Sequence, residues 1–442
     1  MRKLAILLIG LAAGSATIVL RCAQERPEWT TASAAAREAF EQGLSAEKQV
    51  YRNEAREHFA RAVELDPEFA MARLKLLSLT RADPNRPKRM RALILDTDLD
   101  ALSPREQFLM RHSLALIDRD AERAGALLEA YLQKHPNDLY ALTIRCDGLW
   151  SAQKLGDAEQ CFSKVLRVDP NWVLAQNHLG YIRMARGDFA RAEEAFAAYE
   201  RIAPDQANPH DSLGELLMLV GRYDEAQRAF ESAVAIRSDF CASWSHLIDL
   251  AFLVGDREAA DAALARAESA VCPPEFFRAQ RCRAALWWKV ADGTGVEAAA
   301  AIADLDCSGR DFDVLSLALA HGAAIDSGEA GLAAKLEQGA AESARAYRAR
   351  SMPWPILRHM QARELASRGL TAEAIATLRR ADEEATYSGE SAGLFKLYNR
   401  LVLATLLETS ARDAEAAGLR AAVDAVNPQF RPRFESLRAA KP

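Results

Sequence analysis

The chain has 442 residues and a net charge of −6, a balance that excludes the basic face a nucleic-acid binder needs. Half of the residues are hydrophobic but only 7% are aromatic, a small-side-chain composition suited to closely spaced helices. Two or three compact domains are the default at this length, whereas a repeat array grows by adding units and escapes that estimate.

Residues 1–22 read MRKLAILLIGLAAGSATIVLRC, with two cations before 17 uncharged residues and Arg21 closing the run. This is a signal peptide or an N-terminal membrane anchor and is set aside from the fold. Gly14, Ser15 and Ala16 offer small residues for cleavage. A retained helix of this length spans roughly 26 Å, just short of a bilayer core. Cys22 is a lipidation candidate, although Arg21 stands where a lipoprotein signal wants a small residue. All three readings put the bulk of the chain in the cell envelope, periplasmic or anchored to the inner membrane facing the periplasm, with membrane contact through this segment only. Residues 23–35 follow as a polar linker.

A first helical pair is expected over 36–69, where Pro67 stops the second helix. Residues 81–104 break the pattern with Pro84, Pro87 and a run of cations. Asp96, Asp98 and Asp100 alternate, but Ala101 stands where a calcium loop needs Gly, so the segment reads as a solvated acidic turn. Ser103-Pro104-Arg105-Glu106 predicts a helix start closed by a capping box.

From there the chain is periodic. Ala158, Ala192, Ala226 and Ala260 are 34 residues apart, as are Phe162, Phe196 and Phe230, Gly187, Gly221 and Gly255, and Pro136, Pro170 and Pro204. A 34-residue step with this Gly, Ala, Phe and Pro order predicts stacked pairs of antiparallel helices. Small residues of the first helix (Gly180, Gly214) are expected to face small residues of the second (Ala192, Ala226), with Phe196 and Phe230 filling the gap to the next unit. The pattern resembles the tetratricopeptide repeat family, strongly over 36–274 and in degenerate form over 275–442, where divergent units and a C-terminal cap are expected. The resemblance implies an all-α, right-handed α-solenoid whose members bind partners and scaffold complexes. Nearest-neighbour packing predicts that a fragment ending at Pro274 folds alone.

Seven cysteines are present, six of them beyond Cys22. Cys241 and Cys272 lie at opposite ends of one repeat, where antiparallel helices bring them together, so they form a disulfide candidate. Buried free thiols are the alternative. No CxxC, GxGxxG, Walker loop, GxSxG or HExxH occurs, so no catalytic residue, cofactor or metal ligand is assigned. His178, His210 and His246 fall in consecutive first helices, but no carboxylate completes a ligand set in the sequence. Trp287-Trp288, in the divergent stretch, has no assignment.

The inner face built by the first helices is expected to bind a protein or peptide. Its groove positions are Tyr140, Asp147, Trp150, Asn177, Tyr181, Met184, Asp211, Glu215 and Met218. Apolar pockets with interspersed Asn suit an extended segment. The carboxylate clamp of chaperone-binding relatives is disfavoured, because Asp147, Asp211 and Glu215 repel a carboxylate, and a basic or neutral partner fits better. The expected function is a non-enzymatic scaffold, exported or membrane-tethered. The alternative is an envelope-assembly lipoprotein serving a pilus, secretin or outer-membrane complex.

Overall fold

The computed structural model describes residues 28–439 except 81–82, 271, 293–294, 306, 310 and 347–352. The segment 1–22, including Cys22, lies outside the described residues. No helix among those described is long and apolar enough to cross a membrane.

The described residues form helices and no strand. In chain order these are α1 (Ala34–Lys48), α2 (Arg52–Leu65), α3 (Ala70–Leu79), α4 (Arg86–Asp96), α5 (Pro104–Ile117), α6 (Ala121–Lys134), α7 (Leu139–Ser151) and α8 (Leu155–Val168). There follow α9 (Val173–Ala185), α10 (Phe189–Ile202), α11 (Ala207–Leu219), α12 (Tyr223–Ile236), α13 (Cys241–Val254), α14 (Arg257–Glu268), α15 (Pro274–Asp292) and α16 (Gly295–Asp304). The last are α17 (Val314–Asp326), α18 (Ala330–Ala346), α19 (Pro353–Ser367), α20 (Thr371–Glu384), α21 (Glu390–Glu408), α22 (Asp413–Asp424) and α23 (Phe430–Ala439). They divide into two compact units, the first made of the described residues up to Leu44 with Arg52–Leu127, the second of Ser45–Tyr51 with the described residues from Leu128 on.

In the first unit Phe40 gathers three rings, with Trp29, Phe59 and Phe69 at 5.0, 5.4 and 4.8 Å between centroids. Ser103 caps α5, and the capping box with Glu106 is present. Glu106, fully buried, also accepts from the Thr30 backbone N–H at 2.9 Å. Asp98 accepts from the Asp100 amide, so the acidic alternation is a turn held by its own backbone.

In the second unit the pairing of first and second helices adds to one packing expectation. A Cβ at Gly214 would lie 2.5 Å from Phe230 Cε1, and the same ring of Phe196 fills the space beside Gly180. The phenylalanines sit in the hollow that glycine leaves in their own pair and also reach the next one, the Phe162 and Phe230 rings lying 4.9 and 5.0 Å from those of His178 and His246. A left-handed residue ends the first helix of a pair at Arg119 in the first unit and at Gln153, Gly187, Gly221 and Gly255 in the second, at a 34-residue step with φ between 59° and 81°. Three disulfides join Cys146 to Cys161, Cys241 to Cys272 and Cys282 to Cys307.

One apolar core runs from Met184 through Trp244, Trp287 and Leu319 to Phe434 and crosses residue 274 without a break. It accounts for Trp287 and Trp288, which pack on Phe252 at 5.7 and 5.2 Å, and Trp287 Nε1 donates to Ser316 Oγ at 3.0 Å. The chain of the last helices folds back on earlier ones. Tyr387 stacks edge-on against Phe189 at 5.2 Å. Asn427 Nδ2 donates to Leu219 O at 3.0 Å, and Arg433 Nη2 donates to Phe252 O at 3.3 Å.

Candidate functional site

The 34-residue step places Asp147, Tyr181, Glu215, Asp249 and Arg283 at one register position of successive first helices. The helices stack so that neighbours in this column meet. Tyr181 Oη donates to Glu215 Oε1 at 2.5 Å, and Arg283 pairs with Asp249. The adjoining column of His178, Ser212, His246 and Gln280 interleaves with it, and Tyr181 Oη also reaches Ser212 Oγ at 3.2 Å. A sequence repeat has become a polar ladder along successive first helices. The chain has the tetratricopeptide-repeat fold.

Part of this ladder is covered by the chain itself. The first turn of α21 lies against α11, α13 and α17, carrying Glu390 and Ser391 into the ladder. Ser391 Oγ donates to Asp313 Oδ1 at 3.0 Å and accepts from the Val314 amide at 3.1 Å. Arg283, buried, pairs with Asp313 Oδ2 at 3.1 Å as well as with Asp249. Burial pushes the Arg283 guanidinium down while Asp313 and Glu390 oppose that, and for Asp313 the pull of Arg283 and the Ser316 and Ser391 hydroxyls outweighs the burial that would raise it.

Four residues meet where α21 touches α11 and α13. Asp211 Oδ1 accepts from Ser243 Oγ at 2.5 Å and pairs with His246 Nδ1 at 2.9 Å. The other imidazole nitrogen, Nε2, lies 3.9 Å from Glu390 Oε1. Glu215 completes the group, its carboxylate within 4.8 Å of the ligand atoms of Asp211 and His246. Burial, then the Glu390 charge, raises the Glu215 carboxyl well above the carboxylate range. Burial pulls His246 down, but Asp211, Glu390 and Glu215 together outweigh it and hold the imidazole at about 10.

No protein-family model matches the chain, and no curated protein matches it. Solved structures similar to it include the Cut9–Hcn1 hetero-tetramer of the APC/C, at 15% identity over 92% of this chain and 76% of that chain, with a TM-score of 0.47. A tetratricopeptide repeat protein from Parabacteroides merdae is 15% identical over 62% of this chain and 93% of that one, TM-score 0.36. PilW, described as a widely conserved type IV pilus biogenesis factor, is 14% identical over 56% and 98%, TM-score 0.34.

The structure divides the nine groove positions read from the sequence. Tyr140, Asp147 and Trp150 are only partly buried. Tyr140 meets Trp172 edge-on at 5.8 Å, and Trp150 lies 5.1 Å from the His178 ring, whose Nδ1 pairs with Asp147 at 3.1 Å. Asn177, Met184, Asp211, Glu215 and Met218 are all buried, and Tyr181 spends its hydroxyl on Glu215. The expectation that no carboxylate completes a histidine's ligand set is corrected: His246 lies with Asp211 and Glu215, their ligand atoms within 4.8 Å of one another. A second such group joins His321, Glu337 and Glu364 from α17, α18 and α19. His210 instead pairs with Glu200 at 2.9 Å. Sequence reasoning missed Glu390, Arg283 and Asp313. For Arg283 a signal existed, since it continues the column of Glu215 and Asp249. For Glu390 none did, because it arrives from a helix far along the chain.

Proposed function

We propose that this protein is a non-enzymatic interaction scaffold of the cell envelope, exported through residues 1–22, that docks an extended segment of a basic or neutral protein on the open part of its inner face, at Tyr140, Asp147 and Trp150. The observation that carries this reading is the contrast along the groove. The positions on α7 keep partly exposed aromatic and acidic surface, while Asn177, Met184, Asp211, Glu215 and Met218 are buried. Aromatic anchors flanked by a carboxylate are the composition of a peptide-binding hot spot. Export is supported by the three disulfides, which persist only in an oxidising compartment.

The test is capture from cell membranes by the wild-type chain and by a Tyr140→Ala, Trp150→Ala double variant, each checked for helicity by circular dichroism. A partner retained by wild type and lost by the folded variant is the expected result. Retention by both sinks the docking assignment. A periplasm-dependent reporter fused after Pro442 is expected to be active, and activity of a cytoplasm-dependent one instead overturns the export assignment.

A further inference from the structure

Two clusters in the second unit set an imidazole among carboxylates, and they differ in what is left free. In one, Asp211 accepts from Ser243 at 2.5 Å and meets His246 at 2.9 Å, while Glu215 accepts from Tyr181 at 2.5 Å. Every member there already has its partner. In the other, His321 on α17, Glu337 on α18 and Glu364 on α19 offer ligand atoms within 4.8 Å of one another. His321 Nε2 lies 3.1 Å from Glu337 Oε1. Glu364 forms no ion pair among the described residues, and the adjoining cation, Arg363, is spent on Asp326 at 2.7 Å.

His321 sets this group apart from a surface pair of acids. It is fully buried on a helix whose residues from Leu315 to Ala324 are all buried and, Ser316 aside, otherwise apolar. Its Nδ1 makes no hydrogen bond, so the one group that the ring addresses is the Glu337 carboxylate. A buried polar side chain normally finds its partners within the fold. This one is aimed instead at two carboxylates that repel each other unless a cation lies between them. The Glu337 side chain is 32% exposed, so the acids open to solvent and an ion has a way in.

We propose that His321 Nε2, Glu337 and Glu364 bind a single divalent transition-metal ion of the zinc type, with water in the fourth position. Ligand atoms about 2.0–2.2 Å from a tetrahedral zinc lie roughly 3.4 Å apart. His321 and Glu337 already stand near that spacing, and Glu364 reaches it by turning its side chain. One imidazole with two carboxylates suits such an ion better than calcium or magnesium, which prefer oxygen alone. A dication held by two carboxylates and a neutral ring also leaves no net charge in a half-buried place. The imidazole comes from the buried helix and the carboxylates from two helices packed on it, so the ion pins α17, α18 and α19 together.

The experiment uses the full chain with its disulfides intact, stripped with chelator and titrated with zinc chloride alone by calorimetry at one fixed pH. One saturable ion per chain and a raised melting temperature are expected, with no binding of calcium chloride in the same range. Glu337→Gln and Glu364→Gln are each expected to weaken zinc binding by on the order of 100-fold. Glu364 has no ion pair to lose, so Glu364→Gln keeps the fold and carries the test by itself if the other variant unfolds. Glu342→Gln, on α18 outside the group, is expected to bind as wild type does. Absence of saturable binding, calcium bound as tightly as zinc, binding that survives Glu364→Gln in the folded chain, or an equal loss in Glu342→Gln overturns the assignment.

Discussion

The left-handed residue that ends each first helix shows how one backbone position is met by different side chains. Arg119 and Gln153 hold φ of 61° and 59° where Gly187, Gly221 and Gly255 hold 78° to 81°. A side chain in this conformation costs about 1 kcal/mol through the clash of Cβ with the following carbonyl. Gln153→Gly is therefore expected to raise stability by about 1 kcal/mol. Gly221→Ala carries the same cost in reverse and adds a second, because its new methyl would run into the Asn427 side chain. A loss of about 2 kcal/mol or more is expected there. Urea unfolding of the two variants against wild type checks both signs, and a Gly221→Ala loss no larger than the Gln153→Gly gain would mean that Asn427 simply moves aside.

Among the elements, the pairs from α7 to α14 were legible because their repeats keep glycine, alanine and phenylalanine in fixed register. The packing of each phenylalanine against the glycine of its own pair was not legible, since spacing alone does not say that a ring turns there as well as toward the next pair. The covering of Asp211, Glu215 and Met218 was also hidden: these residues carry a groove signature in sequence, and only the placement of α21 removes them from solvent. The α19–α21 helices hold a further buried device. His359 Nδ1 donates to Asn399 Oδ1 at 2.9 Å, while Asn399 Nδ2 donates to Leu378 O at 3.1 Å. Burial pushes His359 down to about 3. The folded state thus keeps the ring neutral while the unfolded chain takes up a proton below about 6.5. The stability held by the neutral ring is complete above that pH and is lost as pH falls toward 3. Relative to His359→Gln, wild type is expected to lose about 1.4 kcal/mol per pH unit between 6 and 4. Urea titrations at successive pH values read this directly, and a constant difference between the two proteins would show that the ring does not stay neutral.

At the scale of the whole molecule, the second unit departs from the nearest-neighbour logic of a repeat array. Trp244 and Phe252 share one core with Trp287 and Phe434, so a chain ending at Pro274 would leave that core open. The expectation that such a fragment stands alone is replaced by its opposite. The fragment is expected to be helical but to unfold with a broadened thermal transition and to self-associate, by circular dichroism and sedimentation; a sharp transition in a monomer would show that the first repeats suffice. The contact between Asn427 and Leu219 also carries a schedule, since 208 residues separate the two. At a ribosome's pace of about 5–20 residues per second, on the order of 10–40 s pass between their syntheses. Through most of that interval, until α21 at Glu390–Glu408 is made, Glu215 and Met218 have no α21 to cover them. A protein that reaches the inner face of the growing chain arrives before its competitor exists, whereas one that meets the finished chain must first evict a helix.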